Sequence, residues 1–321
     1  MAASSQPQIV PRITDSVLQA IGNTPSVRLQ KLVSQDMADV VVKLEYYNPT
    51  GSYKDRMALA MIEGAERRGQ LRPGMRVVEY TGGSTGSSLA LVCAVKGYRF
   101  TPVSSDAFAE EKLNTMRAFG ADLQIIPSEG GKLTPDLFQK MIGRAKELSL
   151  QPNTYYTDQF NNMDVIDGYA PLAQELLQQT GHKISAFCGA VGTAGMLVGV
   201  SRALKAAGCG ARIVALEPTT SPVITTGQGG PHRVEGIAPG FVPPHLKRTD
   251  YDEARAIDQE EARQMARRLA NEEGIFAGTS SGLNVVAALQ LARELGPGHT
   301  VATVAVDTGL KYLAGDLYRA W

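Results

Sequence analysis

The sequence predicts an α/β fold, and three observations carry the prediction. Short β-rich apolar runs alternate with longer helical patterns along most of the chain. One run, Val40-Val-Val42, is apolar without interruption, as strands buried on both faces of a parallel sheet are. Clusters of glycine fall where a strand run gives way to a helical pattern. Strands alternating with helices imply parallel crossover units.

In chain order, residues 40–44 read as the first strand and 56–67 as the first helix. Strand 76–79 leads through a glycine cluster into helix 87–96, and helix 110–119 precedes strand 122–126. Helix 135–148 follows, and residues 150–157 read as a connector between two lobes. Helix 169–180, strand 186–188, helix 194–207 and strand 213–216 continue the alternation. Residues 218–244 are rich in Gly and Pro with little periodicity, and a loop of that length in a compact protein is often functional. Helices 259–273 and 282–294 and strand 301–306 close the chain, which shows no internal repeat or low-complexity tract.

Composition bounds the function classes. The 321 residues hold 43% apolar and 20% charged residues, enough for a sizeable core in one large domain or two lobes. Lys and Arg total 32, Asp and Glu total 32, so the net charge is +0 and no basic surface invites nucleic acid. No apolar stretch nears the roughly 18 residues that cross a bilayer, and residues 1–11 lack the features of a secretion signal. Cys93, Cys188 and Cys209 form no C-x-x-C pair and read as reduced, in a cytoplasmic setting. His182, His232, His245 and His299 lie apart with no ligand spacing, so no metal site is expected.

Glycine is the outlier, at 33 residues where about 7% of the chain would be average. Three clusters follow a strand and open a helix: Thr81-Gly-Gly-Ser-Thr-Gly86, Gly189-Ala-Val-Gly-Thr-Ala-Gly195 and Gly278-Thr-Ser-Ser-Gly282. Helix N-termini present unpaired amides and partial positive charge, and glycine lets an anion approach them. One such turn could be an ordinary strand–helix connection. Three together point to ligand binding at the carboxyl edge of the sheet. The dinucleotide fingerprint G-x-G-x-x-G is absent, which disfavours NAD. Gly278-Thr-Ser-Ser-Gly282 matches a hydrolase nucleophile elbow, whose triad continues acid then histidine; His299 is the only histidine after Ser280 and Glu294 the only acid between them, too close together to serve as a triad.

Asn48-Pro-Thr-Gly-Ser-Tyr-Lys-Asp-Arg56 is the most specific stretch. It sets Lys54 at the start of a helix, where the macrodipole favours loss of its proton, as a nucleophilic amine requires. A solvated lysine paired with Asp55 is the plain alternative.

This stretch resembles the N-P-x-x-S-x-K-D-R motif of the cysteine synthase family, fold type II of the pyridoxal phosphate enzymes. Ile21-Gly-Asn-Thr-Pro-Ser-Val-Arg-Leu29, Glu217-Pro-Thr-Thr-Ser-Pro222, Gly236-Ile-Ala-Pro-Gly-Phe241 and Ala277-Gly-Thr-Ser-Ser-Gly282 resemble further motifs of that family, in order and at family spacing. The resemblance implies two lobes, each with a mostly parallel sheet flanked by helices. Residues 37–150 would form the N-terminal lobe. Residues 1–36 and 151–321 would form the C-terminal lobe, the earliest residues crossing to it. It implies pyridoxal 5'-phosphate as cofactor, a small amino-acid substrate and a homodimer, while charge balance and the short apolar runs leave no nucleic-acid or membrane partner expected.

The resemblance also implies roles. Lys54 would form the Schiff base and later take the substrate α-proton. Gly192, Thr193, Ala194, Gly195 and Met196 would cradle the phosphate. Ser280 would hydrogen-bond the pyridine nitrogen, and Ser84 stands where the family places an asparagine against the cofactor O3′. Thr81, Gly82, Gly83, Thr85 and Gln159 would hold the substrate carboxylate. A neutral serine at the ring nitrogen leaves a milder electron sink than an aspartate, which suits β-replacement or β-elimination better than transamination. The expected reaction makes cysteine from O-acetylserine and sulfide through an aminoacrylate. The alternatives are a lyase or replacement reaction on another amino acid, and a cofactor-binding regulatory protein. Gly82, Ser84, Ala194 and Met196 depart from the family pattern, next to substrate and cofactor.

Overall fold

Two sheets organise the chain in the computed structural model, which describes residues 13–131 and 134–319. The strands are β1 Ser26–Arg28, β2 Asp39–Leu44, β3 Arg76–Tyr80, β4 Arg99–Ser105, β5 Gln124–Ile126, β6 Thr154–Tyr156, β7 Ala186–Ala190, β8 Arg212–Pro218, β9 Glu253–Ile257 and β10 Thr300–Ala305. The helices are α1 Lys54–Arg67, α2 Ser84–Lys96, α3 Glu110–Ala118, α4 Pro135–Ser149, α5 Asp164–Gln179, α6 Gly195–Ala206, α7 Val223–Thr226, α8 Gln259–Arg268 and α9 Thr279–Leu295. The larger sheet runs β1-β2-β10-β7-β8-β9 and the smaller β5-β4-β3-β6. Every pairing is parallel except β1 with β2. The expected α/β architecture with helix-flanked parallel sheets is therefore present. The first twelve residues, with the expected crossing segment and the signal reading, lie outside the described residues.

The sheets do not divide at residues 37 and 150. Strand β2 hydrogen-bonds in the six-stranded sheet beside β10, and β6, within the expected connector 150–157, joins the four-stranded sheet beside β3. Strand β4 was missing from the sequence reading because it is not an apolar run: Thr101, Ser104 and Ser105 are buried in it, and Pro102 interrupts a central strand. Strand β9 alternates charged and apolar residues at a sheet edge. Helix α5 starts at Asp164, five residues before its expected start, since Gly168 and Pro171 break the helical pattern there. Gly168 is needed: a Cβ on it would lie 2.8 Å from Ala60 Cβ and 2.9 Å from the Arg56 carbonyl, so helices α5 and α1 touch backbone to backbone. The expected helix 259–273 ends as α at Arg268 and finishes in one π turn, Leu269–Glu273.

Packing fixes where the functional turns lie. Helices α1, α5 and α6 bury Met57, Met61, Tyr169, Leu172 and Leu197 in one core. Helix α9 is buried along most of its length against the six-stranded sheet. Its Asn284 accepts from the Ala190 amide at 2.8 Å and donates to the Val304 carbonyl at 2.9 Å. That side chain ties α9 to the carboxyl ends of both β7 and β10.

Candidate active site

The loop before α1 is held by its own motif. Asn48 donates to the Glu45 carbonyl at 2.7 Å and accepts from the Gly22 amide at 2.8 Å, which joins the Ile21–Leu29 stretch to the Lys54 stretch. Asp55 accepts from the Thr50 amide and hydroxyl at 2.8 and 2.5 Å, closing the turn around Gly51. Arg56 forks onto Glu45 at 2.7 and 2.8 Å and onto Glu175 at 2.8 Å through two further bonds. Burial alone would raise the Glu175 carboxyl, but Arg56 and Lys43 outweigh it and hold it at about 2. The local Lys54–Asp55 pair weighed from sequence does not form: Asp55 is spent on Thr50.

Lys54 is thereby fixed at the first position of α1, and it is 7% exposed. Among the described residues its amine makes no hydrogen bond and lies 4.9 Å above the Tyr53 ring. Burial lowers its pKa to about 8, while the charge of Asp307 opposes the shift. A lysine near neutrality is a usable nucleophile and base.

Residues 306–309 stitch this loop to the start of α9; Val306 ends the strand expected at 301–306, and the three residues after it carry no motif named from sequence. Tyr53 donates to the Val306 carbonyl at 3.0 Å, Thr308 to Gly51 at 3.0 Å, Gly278 to Asp307 at 3.1 Å and Gly309 to Phe276 at 3.0 Å. The available signal was Asp307-Thr-Gly309 directly after an apolar strand, the same strand-then-glycine pattern as the other turns. Asp307 is buried; Tyr312 donates to its Oδ2 at 2.9 Å and its Oδ1 has no partner among the described residues. Ser280 sits in the first turn of α9, 2% exposed, with no protein hydrogen bond to its hydroxyl among the described residues.

The turn between β7 and α6 leaves its amides open. Among the described residues no protein acceptor meets the amides of Gly192, Thr193, Ala194 or Met196. Gly192 and Gly195 have no room for a side chain: a Cβ would lie 2.5 Å from the Gly236 carbonyl or 2.2 Å from Val165. The Met196 side chain turns away and fills the space over Gly189, 2.6 Å from where a Cβ there would stand. Met196 can therefore offer an anion only its amide, where the family places a threonine hydroxyl.

The turn between β3 and α2 is the second glycine turn with open amides. Thr81 Oγ1 accepts from the amides of Gly83 and Gly86 at 3.3 and 3.2 Å, and the amides of Ser84 and Thr85 stay open. Thr85 donates to Gln159 Oε1 at 2.9 Å, and Gln159 donates to the Tyr80 carbonyl at 3.2 Å. Gln159 is thus brought beside the loop from 74 residues away. Lys311 donates to Ser84 Oγ at 3.3 Å, supplying a cation where Ser84 replaces an amide side chain. Gly82 lies against Phe108, whose ring atoms would stand 2.0 to 2.2 Å from a Cβ. Lys112 packs along Gly83, pairs with Glu235 and lies 5.4 Å from the Tyr312 ring. A cavity of about 260 Å³ opens beside Thr279, lined also by Lys311, Tyr312, Glu235, Arg233 and Arg263.

Two alternatives meet the geometry. His299 bonds Ser185 at the start of β10, the opposite end of that strand from the turns beside Ser280, so no hydrolase triad assembles. Among the described residues no group of three or more His, Cys, Asp or Glu side chains could hold a metal.

A buried lysine near neutrality, two sets of open amides and a neutral serine at a helix start define a class: a cofactor enzyme that holds an anionic carbonyl compound. The family model described as pyridoxal-phosphate dependent enzyme matches residues 17–307. Cysteine synthase of Staphylococcus aureus is 44% identical over 306 residues, 95% of this chain and 97% of its own. A probable cysteine synthase of Bacillus subtilis is 38% identical over 96% of this chain and 98% of its own. Among solved structures, cysteine synthase of Entamoeba histolytica superposes with TM-score 0.90 at 34% identity, covering 100% of this chain and 94% of its own. O-ureido-L-serine synthase superposes with TM-score 0.88 at 37% identity, over 96% of each chain. The chain belongs to the cysteine synthase family of pyridoxal-phosphate dependent enzymes. Its residues fit the cofactor: open amides for a phosphate, a buried free amine for an aldehyde, and an unpartnered hydroxyl for a ring nitrogen.

Proposed function

We propose that this protein makes cysteine by β-replacement on an activated serine such as O-acetylserine, with sulfide as nucleophile. The observation that carries the reading is Lys54, a buried amine without a hydrogen-bond partner, stitched through residues 306–309 to the helix start that bears Ser280. When bound, pyridoxal phosphate supplies an electron sink that lets the substrate lose its α-proton and its β substituent.

The chain's own groups do the rest. Lys54 Nζ would hold the cofactor aldehyde and, as a free amine, would take the α-proton, its pKa of about 8 leaving part of it unprotonated at neutral pH. The amides of Gly192, Thr193, Ala194 and Met196 hold the phosphate, with Gly195 allowing the close approach. Ser280 meets the pyridine nitrogen without charging it. Thr81, Gly82, Gly83 and Thr85, with Gln159 bonded to Thr85, would hold the substrate carboxylate, and Ser84, which accepts from Lys311, would contact the cofactor O3′. Burial of Lys54 and Ser280 keeps water from the reacting atoms.

The finer points belong to the same reading: two lobes, one around each sheet, a homodimer, and a cytoplasmic setting. Buried, unpaired Cys93 and Cys188 support a reducing compartment. No described helix is long and apolar enough to cross a membrane. A second reading, elimination from or replacement on another β-substituted amino acid, is favoured by one observation. Phe108 fills the space that a serine at Gly82 would need, which changes the carboxylate site. Resemblance to a hydrogen sulfide-producing enzyme of Fusobacterium nucleatum, 31% identical with TM-score 0.87, fits that reading too. The test is an amino-acid screen of the holoenzyme with and without sulfide. Cysteine formed from O-acetylserine supports the first reading; keto acid released from serine or cysteine, with none formed from O-acetylserine, supports the second.

A further inference from the structure

Ala194 stands at φ 68°, ψ −10°, the left-handed conformation that L side chains avoid because Cβ crowds a neighbouring carbonyl. It is the last residue of the β7–α6 turn, immediately before α6 begins at Gly195. A non-glycine residue persists there only where its surroundings hold it.

His245 is the holding group. Its Nδ1 lies 3.0 Å from the Thr193 carbonyl oxygen. A carbonyl only accepts, so Nδ1 carries the proton in this contact. The imidazole is 4% exposed, and its Nε2 has no partner among the described residues. An unsatisfied buried nitrogen costs stability, so the bond to Thr193 is what this side chain contributes in return.

The Thr193 carbonyl and the Ala194 amide belong to one planar trans peptide and point in opposite directions. Anchoring the carbonyl on His245 turns the Ala194 N–H away from the imidazole. That N–H, like those of Gly192, Thr193 and Met196, has no protein partner among the described residues. We infer that His245 is a positioning residue for the phosphate end of the cofactor site: it holds the Thr193–Ala194 peptide in its strained orientation, so that the Ala194 N–H is presented before the phosphate arrives. This role rests on the reading of Gly192 to Met196 as the phosphate cradle.

The experiment is an equilibrium titration of the apo-protein with pyridoxal phosphate, joined to phosphorus NMR of the bound cofactor. The variants are His245→Ala, His245→Gln, Ala194→Gly, the double His245→Ala/Ala194→Gly, and Thr193→Val. His245→Ala should weaken binding about five- to thirtyfold, the cost of restoring a left-handed alanine, and should move the phosphorus resonance. Ala194→Gly in that background should recover affinity to within about twofold of Ala194→Gly alone, since glycine adopts the conformation freely. A merely structural role for His245 would not be rescued in this way. His245→Gln, whose amide can donate to the same carbonyl, should keep most of the affinity; it carries the test if thermal unfolding shows the alanine variant does not fold. Unchanged affinity in His245→Ala, or failure of the glycine rescue, or loss of affinity in a folded Gln variant, overturns the inference. If Thr193→Val weakens binding while His245→Ala does not, the cradle stands and only the role of His245 falls. If Thr193→Val and Ala194→Gly also leave affinity and resonance unchanged, the cradle assignment itself falls, and the role of His245 with it.

Discussion

Arg56 and Glu45 face each other through hydrogen bonds of 2.7 and 2.8 Å with both side chains out of water. The same guanidinium closes on Glu175, so one residue joins the loop before α1 to helix α5, two positions after Lys54. Arg56→Met would strand the Glu45 carboxylate in the interior. Its expected cost is about 3–5 kcal/mol, measured by urea unfolding. A cost under about 1 kcal/mol would mean that the fork does not hold the Lys54 loop. Arg56→Lys should recover only part, because an ammonium cannot fork onto two carboxylates.

Cofactor uptake by the apo-protein should rise with pH around a midpoint near 8, because only the unprotonated Lys54 amine attacks an aldehyde. Asp307 opposes the lowering that burial imposes on Lys54, so Asp307→Asn removes a charge that favours the ammonium form. The midpoint should therefore move to lower pH in the variant, read by stopped-flow absorbance. A midpoint that stays put or rises would separate Asp307 from Lys54.

Burial pushes the Glu79 carboxyl from 4.5 up to about 8, against hydrogen bonds from Thr157 and from the Gln159 and Tyr80 amides. A raised folded value means stability that is full below pH 4.5 and lost as pH climbs through 8. The unfolding free energy of wild type relative to Glu79→Gln should then fall by up to about 1.4 kcal/mol per pH unit across that window. A difference that is flat in pH would contradict the burial argument.

Gly82→Ser would drive a Cβ to within 2.0 to 2.2 Å of the Phe108 ring. Overpacking of this kind costs about 1–3 kcal/mol, and here it distorts the carboxylate site, so KM for the amino-acid substrate should rise. The double variant Gly82→Ser/Phe108→Ala should bring KM back to or below the wild-type value. If Gly82→Ser alone lowers KM, Phe108 is not the residue that excludes the hydroxyl.

The legible part of the site was the part written in contiguous motifs. Lys54, Ser280 and the two glycine turns announce themselves because strand end, glycine and helix start are neighbours in sequence. The α/β alternation was legible for the same reason, through strands such as β2 and β10, whose residues are mostly apolar. Strand β4 was not, since a central strand holding Pro102 and buried hydroxyls has no apolar signature. Nor could sequence foresee Phe108 against Gly82, Lys311 on Ser84 or His245 on Thr193. Each is a contact between distant segments, and each sits at or beside a position where the chain departs from the family pattern. Substituted positions acquire new neighbours through packing, which no local spacing records.

The most direct test is to reduce the holoenzyme with borohydride and map the pyridoxyl adduct by peptide mass spectrometry. The adduct should lie on the peptide bearing Lys54, and Lys54→Ala should carry none while still binding the cofactor non-covalently. An adduct on another lysine, or one that persists in Lys54→Ala, would contradict the placement of the chemistry at Lys54.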